Sequence, residues 1–64
     1  MPSIRVSMLS GKTKEQKAKL VSAIVDAFDE MDVPAAAVTT IFEEVSAEEW
    51  YVATESIADK RKNA

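Results

Sequence analysis

The sequence of 64 residues contains no cysteine and no histidine. Disulfide cross-links are thereby excluded, as are zinc sites built on thiolate or imidazole and the Cys/His and Ser/His pairs of nucleophilic catalysis. Glycine occurs once and proline twice, while 47% of the residues are apolar. That balance argues against disorder and for regular elements joined by short connections. No apolar run approaches the roughly 18 residues of a membrane span, and no signal-peptide pattern precedes the first polar residues, so a cytoplasmic location is expected. The length suits one domain, residues 1–64. A chain this small buries only about 60% of the surface it exposes when unfolded. With cysteine and histidine missing, association with other subunits is the remaining source of stability.

Charge is unevenly placed. Arg5, Lys12, Lys14, Lys17 and Lys19 lie in the first 19 residues, opposed only by Glu15. Residues 20–59 carry ten acidic groups and no basic one, and Lys60, Arg61 and Lys62 follow near the end. The net charge of −3 gives a nucleic-acid backbone no broad positive face, so no nucleic-acid role is expected. An anionic ligand must instead be held by the first third of the chain or by the basic tail, which reads as frayed.

Residues Ser3 to Leu9 alternate, with Ile4, Val6 and Met8 on one face and Ser3, Arg5 and Ser7 on the other, the period of a strand. Ser10-Gly11 breaks it. Thr13 with Gln16 three residues later is a capping-box signature. The helix of about 18 residues that it opens carries Leu20, Val21, Ile24, Val25, Ala27, Phe28 and Met31 over an arc of about 160°. Such a stripe covers a sheet and leaves an edge for a neighbour. Asp32-Val33-Pro34 ends the helix, because proline disfavours helical geometry in the residue before it. After an Ala-rich connection, Val38 to Val45 reads as a second strand. The result is an α/β subunit of β-α-β type, whose crossover makes the strands parallel. Residues 46–64 suggest a short extended or hairpin segment around Glu48 to Val52. Two strands and a helix are too little for independent stability, so another subunit is expected to complete the sheet.

Pro2-Ser3-Ile4-Arg5-Val6, the helix start Gly11-Lys12-Thr13-Lys14-Glu15-Gln16-Lys17, and Ile41-Phe42-Glu43-Glu44-Val45 followed by Trp50 resemble, in order and spacing, the 4-oxalocrotonate tautomerase family. The resemblance covers nearly the whole chain. It implies a β-α-β subunit that pairs into a four-stranded sheet and assembles as a hexamer, a trimer of dimers, acting on a small enolisable or unsaturated carboxylate without cofactor or metal. It also implies a catalytic proline at the amino terminus, here Pro2 once Met1 is removed. A free proline is a secondary amine, and an apolar pocket near a cation disfavours its ammonium form, giving a general base near the working pH. With Met1 attached, the nitrogen is a tertiary amide with no basic lone pair.

The resemblance further places an anion-binding residue at Lys12, where the family normally has Arg, and an aromatic wall at Trp50. Lys12 also reads as a solvated residue ahead of a helix, and Trp50 as a subunit contact. The family's second Arg aligns with Thr39, which is neutral, so a replacement cation must come from Arg5, the early helix lysines or the tail, with Arg61 the first choice. Where the family has a glycine-rich turn after the aromatic, this chain has Tyr51-Val52-Ala53-Thr54. Two other readings fit the same residues: a proline-dependent hydratase or dehalogenase, and a non-catalytic or heteromeric subunit of the same fold.

Overall fold

The structure, a computed structural model, describes residues 1–63. β1 (Ser3–Leu9) leads through a short loop into α1 (Lys14–Asp29), and a single 3-10 turn at Ala35–Ala37 leads into β2 (Thr39–Val45). β3 (Tyr51–Val52), β4 (Glu55–Ser56) and α2 (Ile57–Lys62) follow. β1 and β2 pair in parallel, from Ser3 opposite Thr39 to Leu9 opposite Val45. The expected β-α-β unit with parallel strands is therefore present, with a small antiparallel hairpin beyond it.

Each end of α1 is fixed by a local device. Thr13 Oγ1 accepts from the Gln16 N–H at 3.1 Å, and Gln16 Oε1 accepts from the Thr13 N–H at 3.0 Å, which satisfies two otherwise orphaned donors. At the other end the Asp32 N–H donates to the Asp29 carbonyl and the Val33 N–H to the Phe28 carbonyl, both at 3.0 Å, with Asp32 at φ 63°. This is the Schellman pattern with Asp in place of the usual glycine. It stops the helix at Asp29, short of the expected 18 residues, and leaves Met31 outside it and 67% exposed.

The carboxy-terminal part departs from expectation. Instead of a frayed basic tail, Ile57–Lys62 form a helical turn and a half, because Ser56 Oγ accepts from the Asp59 N–H at 3.1 Å and Lys60, Arg61 and Lys62 occupy the last turn, where cations favour the helix dipole. Ser56, with only 4% of its surface exposed, is the one buried residue among those described. The β3–β4 loop is Ala53-Thr54, with Ala53 at φ 57°. Alanine thus occupies a left-handed conformation that glycine adopts without steric cost.

No apolar residue among those described is buried. Val21, Ile24, Val25 and Phe28 of α1 and Ile4, Val6, Met8 and Phe42 of the sheet are half-buried against each other's face, while Leu20, Ile41, Tyr51 and Val52 are exposed. The radius of gyration is 15.3 Å and the extents are 47 × 23 × 14 Å, against roughly 11 Å for a compact chain of this length. The accessible surface of 4957 Å² likewise exceeds the roughly 4,000 Å² of a folded monomer of this mass. Such a flat, coreless protomer is expected to hold its shape only when its open faces are covered by other protomers. Light scattering at micromolar concentration is expected to return a multiple of the 7.0 kDa chain mass, and dissociation by dilution is expected to coincide with loss of helical circular dichroism. A folded monomer would contradict this.

Candidate active site

The parallel ladder starts one residue before β1: the Thr39 N–H donates to the Pro2 carbonyl at 3.0 Å. Pro2 is thereby held, half-buried, beside the first residue of β2, and Met1 projects from it 95% exposed. Thr39 is exposed. The neighbour of Pro2 across the sheet is therefore a neutral hydroxyl, at the position where the family resemblance sets an arginine.

The opposite end of the ladder closes with the Ser10 N–H donating to the Val45 carbonyl at 2.9 Å. Gly11 then reverses the chain at φ 120°; an added Cβ would meet nothing within 4 Å, so the backbone conformation and not crowding calls for glycine. This turn and the capping box at Thr13 deliver Lys12, Gln16, Lys17 and Leu20 around Met8, lining a cavity of about 260 Å³. No β2 residue lines it, so the cavity lies on the β1 side of the seam between helix and sheet. Met8 and Leu20 supply apolar wall; Lys12 and Lys17 supply positive charge.

Lys17 is held from two directions. Its Nζ lies 2.5 Å from Glu44 Oε1 and 5.9 Å from the centroid of the Phe42 ring. Glu43, the preceding residue, pairs with Arg5 on the other face of the sheet. The two adjacent carboxylates point to opposite faces, as period-two geometry requires, and do not form a catalytic pair. No group of three or more Asp or Glu side chains able to hold a metal occurs among the described residues.

One chain does not bring the sequence-derived site residues together. Pro2 and the Lys12 cavity lie at opposite ends of β1, roughly 23 Å apart at 3.3 Å per strand residue. Trp50 is half-buried just before β3, its carbonyl accepting from the Ile57 N–H at 2.8 Å, and it does not line the cavity. Arg61 is exposed on the last turn of α2 and does not line it either. The residue the sequence reading passed over is Lys17, left among the early helix lysines without a role of its own. Its spacing from Val21, Ile24 and Phe28 sets it on the apolar face of the helix, and a lysine on such a face is the signal that could have singled it out.

The tautomerase enzyme family matches residues 2–60. Among solved structures, the chain is similar to TomN, a 4-oxalocrotonate tautomerase homologue in the tomaymycin biosynthetic pathway, at 37% identity over 95% of both chains with a TM-score of 0.88. It is also similar to a 4-oxalocrotonate tautomerase isozyme from Methylibium petroleiphilum, at 33% identity over 98% of this chain and 100% of that one, with a TM-score of 0.91. A heterohexamer 4-oxalocrotonate tautomerase from Chloroflexus aurantiacus J-10-fl gives 40% identity over 92% and 97% of the two chains, with a TM-score of 0.82. No curated protein matches the chain by sequence. A family match over nearly the full length, joined to the same β-α-β architecture in relatives above 30% identity, is decisive: the chain belongs to the tautomerase family and has the fold of the 4-oxalocrotonate tautomerases.

Proposed function

We propose that this protein is a cofactor-independent tautomerase that moves a proton within a small enolisable or unsaturated carboxylate, with Pro2 as general base after removal of Met1. The observation that carries the reading is the placement of Pro2 and the lysine cavity at opposite ends of a strand whose second edge is unpaired in the protomer. A two-fold axis that pairs this edge with its copy sets the two β1 strands antiparallel. Pro2 of one chain then arrives beside the Met8–Lys12 cavity of the other, and an unprotected strand edge is removed. In that composite site Lys12 holds the substrate carboxylate as a point charge and Trp50 serves as the apolar wall over the amine. Arg61, exposed on α2, is the cation available to a neighbouring subunit. A trimer of such dimers is the assembly proposed.

The amine takes a proton from a hydroxyl or activated carbon of the bound acid and returns it elsewhere on the conjugated system. Removal of Met1 is required, because an acylated proline nitrogen accepts no proton. Protein beginning at Pro2 is expected to accelerate ketonisation of phenylenolpyruvate, and Pro2→Ala to lose about 10²–10⁴-fold of that rate with its assembly intact. The check is kcat by ultraviolet absorbance on samples whose amino termini are verified by intact mass. Equal rates with and without Met1 would refute the role of Pro2.

The neutral Thr39 beside Pro2 bears on substrate choice. With no cation at that end, a second carboxylate near the reacting centre gains nothing, and monocarboxylate and dicarboxylate enols are expected to react with similar kcat/KM. Thr39→Arg adds a charge-assisted contact there and is expected to favour the dicarboxylate by about 10-fold or more, measured as the ratio of kcat/KM for the two acids. An unmodified protein that already strongly prefers the dicarboxylate would contradict this.

The same neutral position favours a second reading, in which this chain is one partner of a heteromer and another subunit brings the missing charge. The Chloroflexus aurantiacus relative is a heterohexamer. Purified protein that assembles but ketonises phenylenolpyruvate only after mixing with a second subunit would support this reading.

A further inference from the structure

We propose that Lys17, beyond tying α1 to the sheet, is the second cation of the substrate pocket and that Glu44 sets how strongly it binds, so that Lys12 and Lys17 together hold one carboxylate. The inference rests on the composite site proposed above. Three observations carry it. Lys17 lines the same cavity as Lys12, and its side chain keeps 26% of its surface exposed. Its ammonium has three donors, of which Glu44 Oε1 engages one while Phe42 lies below. Glu44 is not among the cavity-lining residues while Lys12 and Lys17 both are, so an anion entering between Met8 and Leu20 has two lysines within side-chain reach and no carboxylate in the cavity wall.

The size and lining define the ligand class. A volume of about 260 Å³ is just below the usual range for small-molecule sites, which suits one carboxylate and the first carbons of its chain. Met8 and Leu20 match those carbons. Two separate ammonium groups can each approach one carboxylate oxygen, which partly replaces the two-pronged contact that a single arginine would make. Lys17 also sits at the lysine end, far from Thr39 within its own chain. The pair therefore anchors the carboxylate of a monocarboxylate and leaves the rest of the substrate uncharged.

A purely structural ion pair and a ligand-binding lysine respond oppositely to removal of the partner. Glu44→Gln frees Lys17 for the ligand, so binding should strengthen if Lys17 contacts the carboxylate, whereas a structural pair would be lost with no gain in affinity. The probe is cinnamate, an unreactive monocarboxylate, titrated calorimetrically into the assembled protein, with light scattering on every variant. Lys17→Met is expected to weaken cinnamate binding about tenfold or more and to raise KM for phenylenolpyruvate with a much smaller change in kcat. Lys17→Arg is expected to retain binding, and Glu44→Gln to tighten it. If Lys17→Met does not assemble, the Lys17→Arg and Glu44→Gln results decide. Unchanged or weaker binding in assembled Glu44→Gln, or unchanged binding in Lys17→Met, overturns the proposal. Pro2→Ala separates it from the catalytic reading: a rate unaffected by that change removes the proline mechanism, while the cinnamate results for Lys17 and Glu44 stand on their own.

Discussion

The protomer cannot bury its apolar residues by itself. A helix of sixteen residues laid across two parallel strands leaves every large apolar side chain at least partly exposed, and the β3–β4 arm with α2 draws the molecule out to 47 Å. The half-buried face formed by Ile4, Val6, Phe42, Ile24 and Phe28 is a seam and not a core. At about 25 cal/mol per Å² of apolar surface removed from water, covering the excess surface is the main stabilising step still open to the chain. Association is thus expected to be a condition of folding here, and the proposed site inherits that condition.

The chemistry inherits it first. In a parallel β-α-β unit both strands begin at one end and the crossover helix begins at the other. Pro2 and Thr39 share the first end; Lys12, Gln16 and Lys17 share the second. The proposed base and the proposed anion-binding pocket, separated by a whole strand, are expected to meet only when another chain pairs with this one. In the proposed reading, placing the two halves of the site in different chains makes activity conditional on assembly, and an isolated protomer is expected to be inert. The charge segregation of the sequence has a physical counterpart in this arrangement, since the early lysines lie at the helix start and the acidic stretch supplies Glu44 as the counter-charge of Lys17.

The local elements were legible because each is encoded by a few neighbouring residues: the alternation of Ile4, Val6 and Met8, the Thr13/Gln16 box, and the β-branched run into β2. The family resemblance also singled out the turn after Trp50, where Ala53 does take a positive φ. Less legible were features that depend on the meeting of distant parts. The Schellman closure at Asp32 shortened α1, and Ser56 with Asp59 nucleated α2 where a frayed tail was expected. The separation of Pro2 from Lys12 follows from topology and not from spacing in sequence. Lys17 differs from Lys14 and Lys19 by lying on the apolar face of α1, a signal that charge placement alone does not give.

The central claim is that each active site joins Pro2 of one subunit to the Lys12 pocket of another, and co-assembly of two inactive variants tests it most directly. Pro2→Ala and Lys12→Glu are each expected to lack phenylenolpyruvate ketonisation as pure assemblies. When the two are unfolded together and reassembled, mixed dimers contain one site with both defects and one with neither, so activity should return in proportion to the mixed fraction measured by native mass spectrometry. Mixed assemblies that form and remain inactive would show that the base and the anion pocket do not meet across subunits.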